Sequence, residues 1–338
     1  MGIVRRLRSE MLLSWGDTMR KRLLVTAIAV FWCFSALAAD YPTHPITFIV
    51  PFAAGGPTDT LGRMLAERMS GILGQTIVVE NMAGAGGSVG VGRAVHAAPD
   101  GYTISVGNWS THVLNGAIYA LGYDLIDDLE PVALLPSGLQ LIVARKNLPA
   151  GNLAELISWL KRNQATVGTA GVGSAGHVSA LFFQKETGSR LTLVHYRGAG
   201  PAMIDLVGGH IDMMFDQSAN SLPHVRDGAI KSYAVTNRAR LASAPDIPTV
   251  DEAGLPNFYI AVWHGLWAPR GTPENVVAKL NSAAQAALND PALRQRLSAL
   301  GWAFPQPDQT SPAALGAVQK AEIAKWWPIL RSANVKAE

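Results

Sequence analysis

ITFIVPFAAGGPTDTLGRMLAERM, residues 46–69, reads as a buried strand, a small-residue turn and a helix opening at Thr58–Asp59. Leu61, Met64, Leu65, Met69, Ile72 and Leu73 fall along one face of that helix, and Gly74 stops it. A loop of alanines and glycines feeding a helix start leaves backbone N–H groups unpaired at the positive end of the helix dipole. Such a turn can hold an anion without any basic side chain. Strand–glycine–helix turns are also common without a ligand, so the rest of the chain has to decide.

Outward from this stretch, strand-like and helical runs alternate. TIVVE and YTISVGN precede a polar loop with Asn108, Ser110 and Thr111 that leads into a helix. VALLP and LQLIVAR read as two extended runs separated by Ser137–Gly138. A second series follows: LAELISWLKRN, TVGTA, the loop GVGSAGH, VSALFFQKETG, TLVHY, RGAGPAMIDLVGG, IDMMFD and IKSYAV. FYIAVWHGLWAP is a long apolar strand, and three helices complete the chain. Asp290 caps the second of these ahead of Pro291, and Pro328 is expected to kink or end the third. Alternation of this kind means an α/β fold with parallel βαβ units.

The N-terminus has the composition of an export signal. Arg5, Arg6, Arg8, Arg20, Lys21 and Arg22 precede an apolar run from Leu23 to Phe34 and then Ser-Ala-Leu-Ala-Ala, giving a signal over 1–38 cut near Ala38/Ala39. Met19 is an alternative start. The single cysteine, Cys33, lies inside that signal behind Trp32, so neither a lipid anchor nor a disulfide is expected. Of 28 Lys+Arg and 25 Asp+Glu, the signal holds six and two, leaving 22 and 23 in the mature chain. The basic balance belongs to the signal, and no nucleic-acid or membrane partner follows from it.

TVGTAGVGSAGHVSALFF repeats the opening logic, with Ser174 as an N-cap. If the two stretches face each other across a domain interface, two helix ends converge on one cleft, with Thr58, Ser110, Thr111, Thr169 and Ser174 hydroxyls nearby. A carboxylate is the small anion such a cleft holds most naturally. His177, in the first turn of the second helix, reads either as a site residue or as a capping or packing histidine. Asp59 reads as a first-turn carboxylate that shapes the loop. Asp216 closes IDMMFD and reads as meeting a ligand cation or hydroxyl, or as the cap of the next helix.

Enzyme patterns fit less well. Gly171, Gly173 and Gly176 match GxGxxG, but Glu186 comes too early and Asp205 too late for the ribose-binding acid. Ser174 has Val172 where a nucleophile elbow needs glycine. A Ser174–His177 dyad lacks an assignable orienting carboxylate, and an exported hydrolase built on it stands as the rival reading. None of the eight histidines falls in a metal-ligand spacing, and no cofactor is expected.

PFAAGGPTD, NMAGAGGSVG, AAPDGYT, GVGSAGH, HYRGAGPAMIDLVGGHID and PTVDEAG occur in that order across residues 41–338. Together they resemble the Bug-type receptors of tripartite tricarboxylate transporters. The resemblance implies a periplasmic binding protein of two α/β domains, 39–138 plus 266–338 and 139–265, joined by two crossing strands. It implies closure on a small carboxylate through loop N–H groups and hydroxyls and delivery to a permease; a monomer is expected, and a receptor that passes its signal to a sensor protein is a further alternative. Carried onto this chain, one loop is Phe52, Ala53, Gly55, Gly56, Thr58 and Asp59; the other is Thr169, Ser174, Ala175 and His177. Ser110 and Asp216 would meet the remainder of the ligand. Trp109 is bulkier than the family pattern there and is expected to limit what fits.

Overall fold

A computed structural model describes residues 41–337 of the protein. The expected export signal lies outside the described residues. β1 (Ile46–Val50) is apolar on both faces because it lies between two parallel neighbours, β2 (Ile77–Asn81) and β3 (Thr103–Asn108). Between β1 and β2 runs α1 (Pro57–Leu73), whose first residue is a proline, where a missing N–H removes no helix bond. Leu61, Leu65 and Met69 on its inner face are fully buried. Gly74 ends it with φ 71°, its N–H bonding Ser70 O at 3.0 Å. α2 (Ser88–Val95) returns the chain to β3. A wide helical turn, Ser110–Leu114, continues into α3 (Asn115–Ile118).

β4 (Leu129–Arg145) is one strand of 17 residues, not two runs. Ser137–Gly138 only perturbs its register. Gly138 is required for close approach and not for a turn, since a side chain there would run into the Gln217 amide. The remaining elements are α4 (Leu153–Leu160), β5 (Ala165–Thr169), α5 (Ala175–Thr187), β6 (Leu191–His195), α6 (Ala199–Val207), β7 (Met213–Gln217), α7 (Ser218–Arg226), β8 (Ile230–Val235) and β9 (Ala261–Pro269). α8 (Glu274–Asn289), α9 (Pro291–Ala299), β10 (Trp302–Ala303) and α10 (Pro312–Ser332) follow.

The strands make one sheet in the order β2-β1-β3-β9-β4-β7-β5-β6, with β8 and β10 also paired to β4. The outer strands are parallel, as the alternation predicts: β1 with β2 and β3, and β5 with β6 and β7. The centre is antiparallel. β4 pairs β9 through Leu129–Leu139 and then β7 through Gln140–Ala144, so its two ends serve the two halves of the sheet. Asp290 accepts from Leu293 N at 2.9 Å, as the cap reading has it. α10 does not end at Pro328. Trp327 Nε1 donates to Val113 O at 2.8 Å and Leu330 is buried, and these anchors on either side of the proline carry the helix through the lost ladder bond. Among the described residues, no helix is long and apolar enough to cross a membrane.

Candidate functional site

At the C-terminal ends of β1, β3, β5 and β7 lies a cavity with about 40 Å³ open to the centres of water-sized molecules. In open α/β sheets this is where ligands sit, because the loops leaving the strand ends diverge there. Three helices open onto it. The N–H groups of Thr58 and Asp59 at the start of α1 have no hydrogen-bond partner among the described residues, since the N-cap is Gly56 and offers no side chain. The same holds for Ala175 and Gly176 at the start of α5, where the Ser174 hydroxyl accepts only from His177 N at 3.3 Å. α6 follows Gly198, again without a side-chain cap, and its first residue, Ala199, lines the cavity. Three positive helix ends thus meet around one space. Among the described residues, no lysine or arginine lines it.

Glycines permit the close approach. A Cβ on Gly176 would stand 2.7 Å from Phe215 O, and one on Gly200 would stand 2.8 Å from Ala54 O. Ala53 N–H donates to Arg197 O at 3.0 Å, tying the first loop to the one before α6.

The buried hydroxyls are held in place by a polar network. Asn108 Nδ2 donates to Thr58 Oγ1 at 3.2 Å, and the same oxygen bonds His264 Nε2 at 3.2 Å. Asn108 Oδ1 accepts from Ser110 N and Ser110 Oγ at 3.0 and 2.8 Å. Burial pushes His264 down to about 3, so its ring is neutral at physiological pH. Asp59 braces the first loop, with Oδ2 accepting from Gly55 N at 3.0 Å and Oδ1 from Asn81 Nδ2 at 2.8 Å. Arg63 Nε adds a third bond at 3.0 Å. Burial alone raises this carboxyl, but the bonds from Arg63, Gly55 N–H and Asn81 outweigh it and hold it below the usual carboxylate range. Asp216 has the opposite balance. Burial pushes it up to about 6 despite bonds from Ser221 Oγ at 2.6 Å and Asn220 Nδ2 at 2.8 Å.

Nine of the twelve residues named from the sequence line this cavity: Phe52, Gly56, Thr58, Asp59, Ser110, Thr169, Ser174, Ala175 and Asp216. Three do not. Ala53 and Gly55 turn their N–H groups to Arg197 O and Asp59. His177 is in the first turn of α5 and turns back on its own loop and on β6, where its Nδ1 accepts from Gly173 N at 3.0 Å and its ring meets His195 edge-on at 5.1 Å. Burial, with His195 beside it, pushes His177 down to about 4. Trp109 does not reach the cavity either. It is buried against Trp326, ring centroids 4.9 Å apart, which corrects the expectation that it limits what fits. The helical backbone at Trp109 aims its side chain away from the strand end. Sequence reading leaves out Asn108, Gln140, Ala199 and Met214, all on the lining. A signal for Gln140 exists: it is the one polar residue inside LQLIVA.

The sheet order and a cavity ringed by helix N-termini are those of the periplasmic binding protein-like fold. The solved structure of the periplasmic binding protein BugD superposes with a TM-score of 0.84 at 38% identity, covering 88% of this chain and 100% of that one. The chain belongs to the tripartite tricarboxylate transporter receptor family, whose model matches residues 61–335. An Agrobacterium vitis protein encoded in the TAR-I ttuE-ttuC' intergenic region is 40% identical over 92% of this chain and 90% of its own length. MatC from Rhodopseudomonas palustris, solved with bound malate, matches at TM-score 0.82 and 41% identity over 86% of this chain and 100% of that one. A second R. palustris protein, solved with adipate, matches at 0.83 and 32% over 88% and 100%.

Proposed function

We propose that this protein is an exported, periplasmic receptor that captures a small carboxylate between two lobes and hands it to a membrane permease. The observation that carries the reading is the convergence of unpartnered N–H groups from α1 and α5 on a cavity without a basic side chain. Such a site favours a compact anion through fixed dipoles. Malate and adipate, held by two neighbours, share terminal carboxylates and differ in length and hydroxylation. That supports the class of ligand for this chain and leaves the member open.

The lobes we assign are 39–138 with 266–338, and 139–265, turning on the two central strands β4 and β9. A ligand touching both lobes only in the shut form stabilises that form. The receptor works as a monomer and without catalysis. A hydrolytic Ser174–His177 pair is disfavoured because His177 Nδ1 is engaged by Gly173 N–H, and Ser174 Oγ faces a backbone amide.

A thermal-shift panel of mono- and dicarboxylates of two to eight carbons tests the reading. A true ligand at a hundredfold its Kd adds about 2.7 kcal/mol, which is roughly 4 °C in midpoint for a chain of this size. A flat response across the panel at millimolar concentration would overturn the carboxylate assignment.

A further inference from the structure

The cavity lining carries two kinds of polar group. One consists of donors, the N–H groups of Thr58, Asp59, Ala175 and Gly176. The other is the acceptor Asp216, at the C-terminal end of β7, which lines the cavity and is 4% exposed. Both side-chain donors that reach its carboxylate, Ser221 Oγ and Asn220 Nδ2, bond the same oxygen, Oδ2. No side chain among the described residues donates to Oδ1. A carboxylate offers about four lone-pair sites, so acceptor capacity is left over. Asp216 does not cap α7, whose N-cap Gln217 has no side-chain bond; the Ser221 and Asn220 bonds and the Gln217 N–H use part of the acceptor capacity of its carboxylate and leave the rest for the cavity that it lines.

An anionic ligand bound at the donors shares a small, poorly solvated enclosure with this carboxylate. Among the described residues no lysine or arginine lines the cavity, so only the helix ends oppose that repulsion and no side-chain cation pairs with Asp216. An unsubstituted acid would leave it standing. A hydroxyl or ammonium on the chain beside the bound carboxylate would fill the open lone pairs, and an ammonium would also neutralise the charge.

Building on the carboxylate reading, we propose that the site selects acids bearing such a hydrogen-bond donor and that the Asp216 carboxylate is the acceptor that reads it. Burial already works against the ionised form of Asp216, so the repulsion from an acid without a donor adds to a cost present in the empty site.

Calorimetric titration of the full chain at pH 7.5 with acids of matched skeleton tests this. The sets are propionate, lactate and alanine; succinate, malate and aspartate; glutarate, 2-hydroxyglutarate and glutamate. Within the skeleton that binds, the hydroxy or amino acid is expected about 10- to 100-fold tighter than the unsubstituted one, the range of a hydrogen bond to a charged group. Asp216→Asn keeps the shape and can still accept from Ser221 and Asn220; it is expected to erase most of the preference for an ammonium and less of that for a hydroxyl. Equal affinity for the unsubstituted acid in the wild-type protein overturns the proposal, as does an unchanged ratio in Asp216→Asn. Binding without preference sinks this inference alone, whereas no binding in any set sinks the carboxylate reading with it.

Discussion

Asp59 and Trp109 show what single residues reveal. Asp59 has a carboxylate in the first turn of a helix, and its loop-shaping role is legible because a first-turn acid accepts local N–H bonds. The structure adds the partners: Gly55 N–H, Asn81 and Arg63. Asp59→Ala would leave Asn81 Nδ2 with Phe52 O alone and free Gly55. We expect a loss of about 2 kcal/mol in urea unfolding, with weaker carboxylate binding, because a hydrogen-bonded buried carboxylate is removed. Arg63→Ala should cost far less, since the Arg63 side chain is half exposed. Equal effects of the two substitutions would remove Asp59 as the brace. Trp109 could not be read in the same way. Its direction depends on the wide turn at Ser110–Leu114 and on Trp326, far along the chain.

Helices and loops carry the next level. The openings of α1 and α5 are visible as small-residue loops after strands, but α6 reads only as a helix, and its approach to Gly56 follows from the crossing of the chain. Gly86 marks where the two halves touch. It has φ +59°, and a Cβ there would overlap Val172 O in the loop before α5. Tyr119 Oη donates to the same carbonyl at 2.8 Å. If the halves are lobes that close on a ligand, Gly86→Ala props them apart. Overpacking of this kind costs about 1–3 kcal/mol, so carboxylate affinity should fall roughly 5- to 150-fold while the ligand-free midpoint moves little. A midpoint that drops with affinity intact would mean the contact belongs to a rigid core.

At the scale of the whole molecule, buried titratable groups set the response to acid. His112, His177 and His264 are pushed by burial to about 3, 4 and 3 from an ordinary 6.5. Below pH 6.5 the unfolded chain binds protons that the folded chain refuses, so their contribution is present above 6.5 and lost as pH falls. Asp216 runs the other way: raised to about 6 from 3.8, it binds its proton first in the folded state. Near pH 5 three histidines oppose one carboxyl, a net uptake of about two protons on unfolding. Stability should therefore fall by a few kcal/mol per pH unit there, and His195, also pushed down by burial, adds in the same direction. Urea unfolding at pH 7, 6 and 5 checks this, and a flat profile would mean that these histidines are not buried neutral.

By itself the sequence determined the α/β class, the order of the elements and the loops that open helices beside strand ends. Local composition and periodicity suffice for those, because each depends on residues a few positions apart. Tertiary structure decided the rest. β4 became one continuous strand because it is paired along its length by β9, β7 and β8, which lie far away in the chain. Asn108, Gln140 and Ala199 joined the cavity, and His177 and Trp109 left it, because side-chain direction at a strand end is set by what packs behind it. A lining assembled from four strand ends and three helix starts is a property of long-range pairing, which no local pattern encodes.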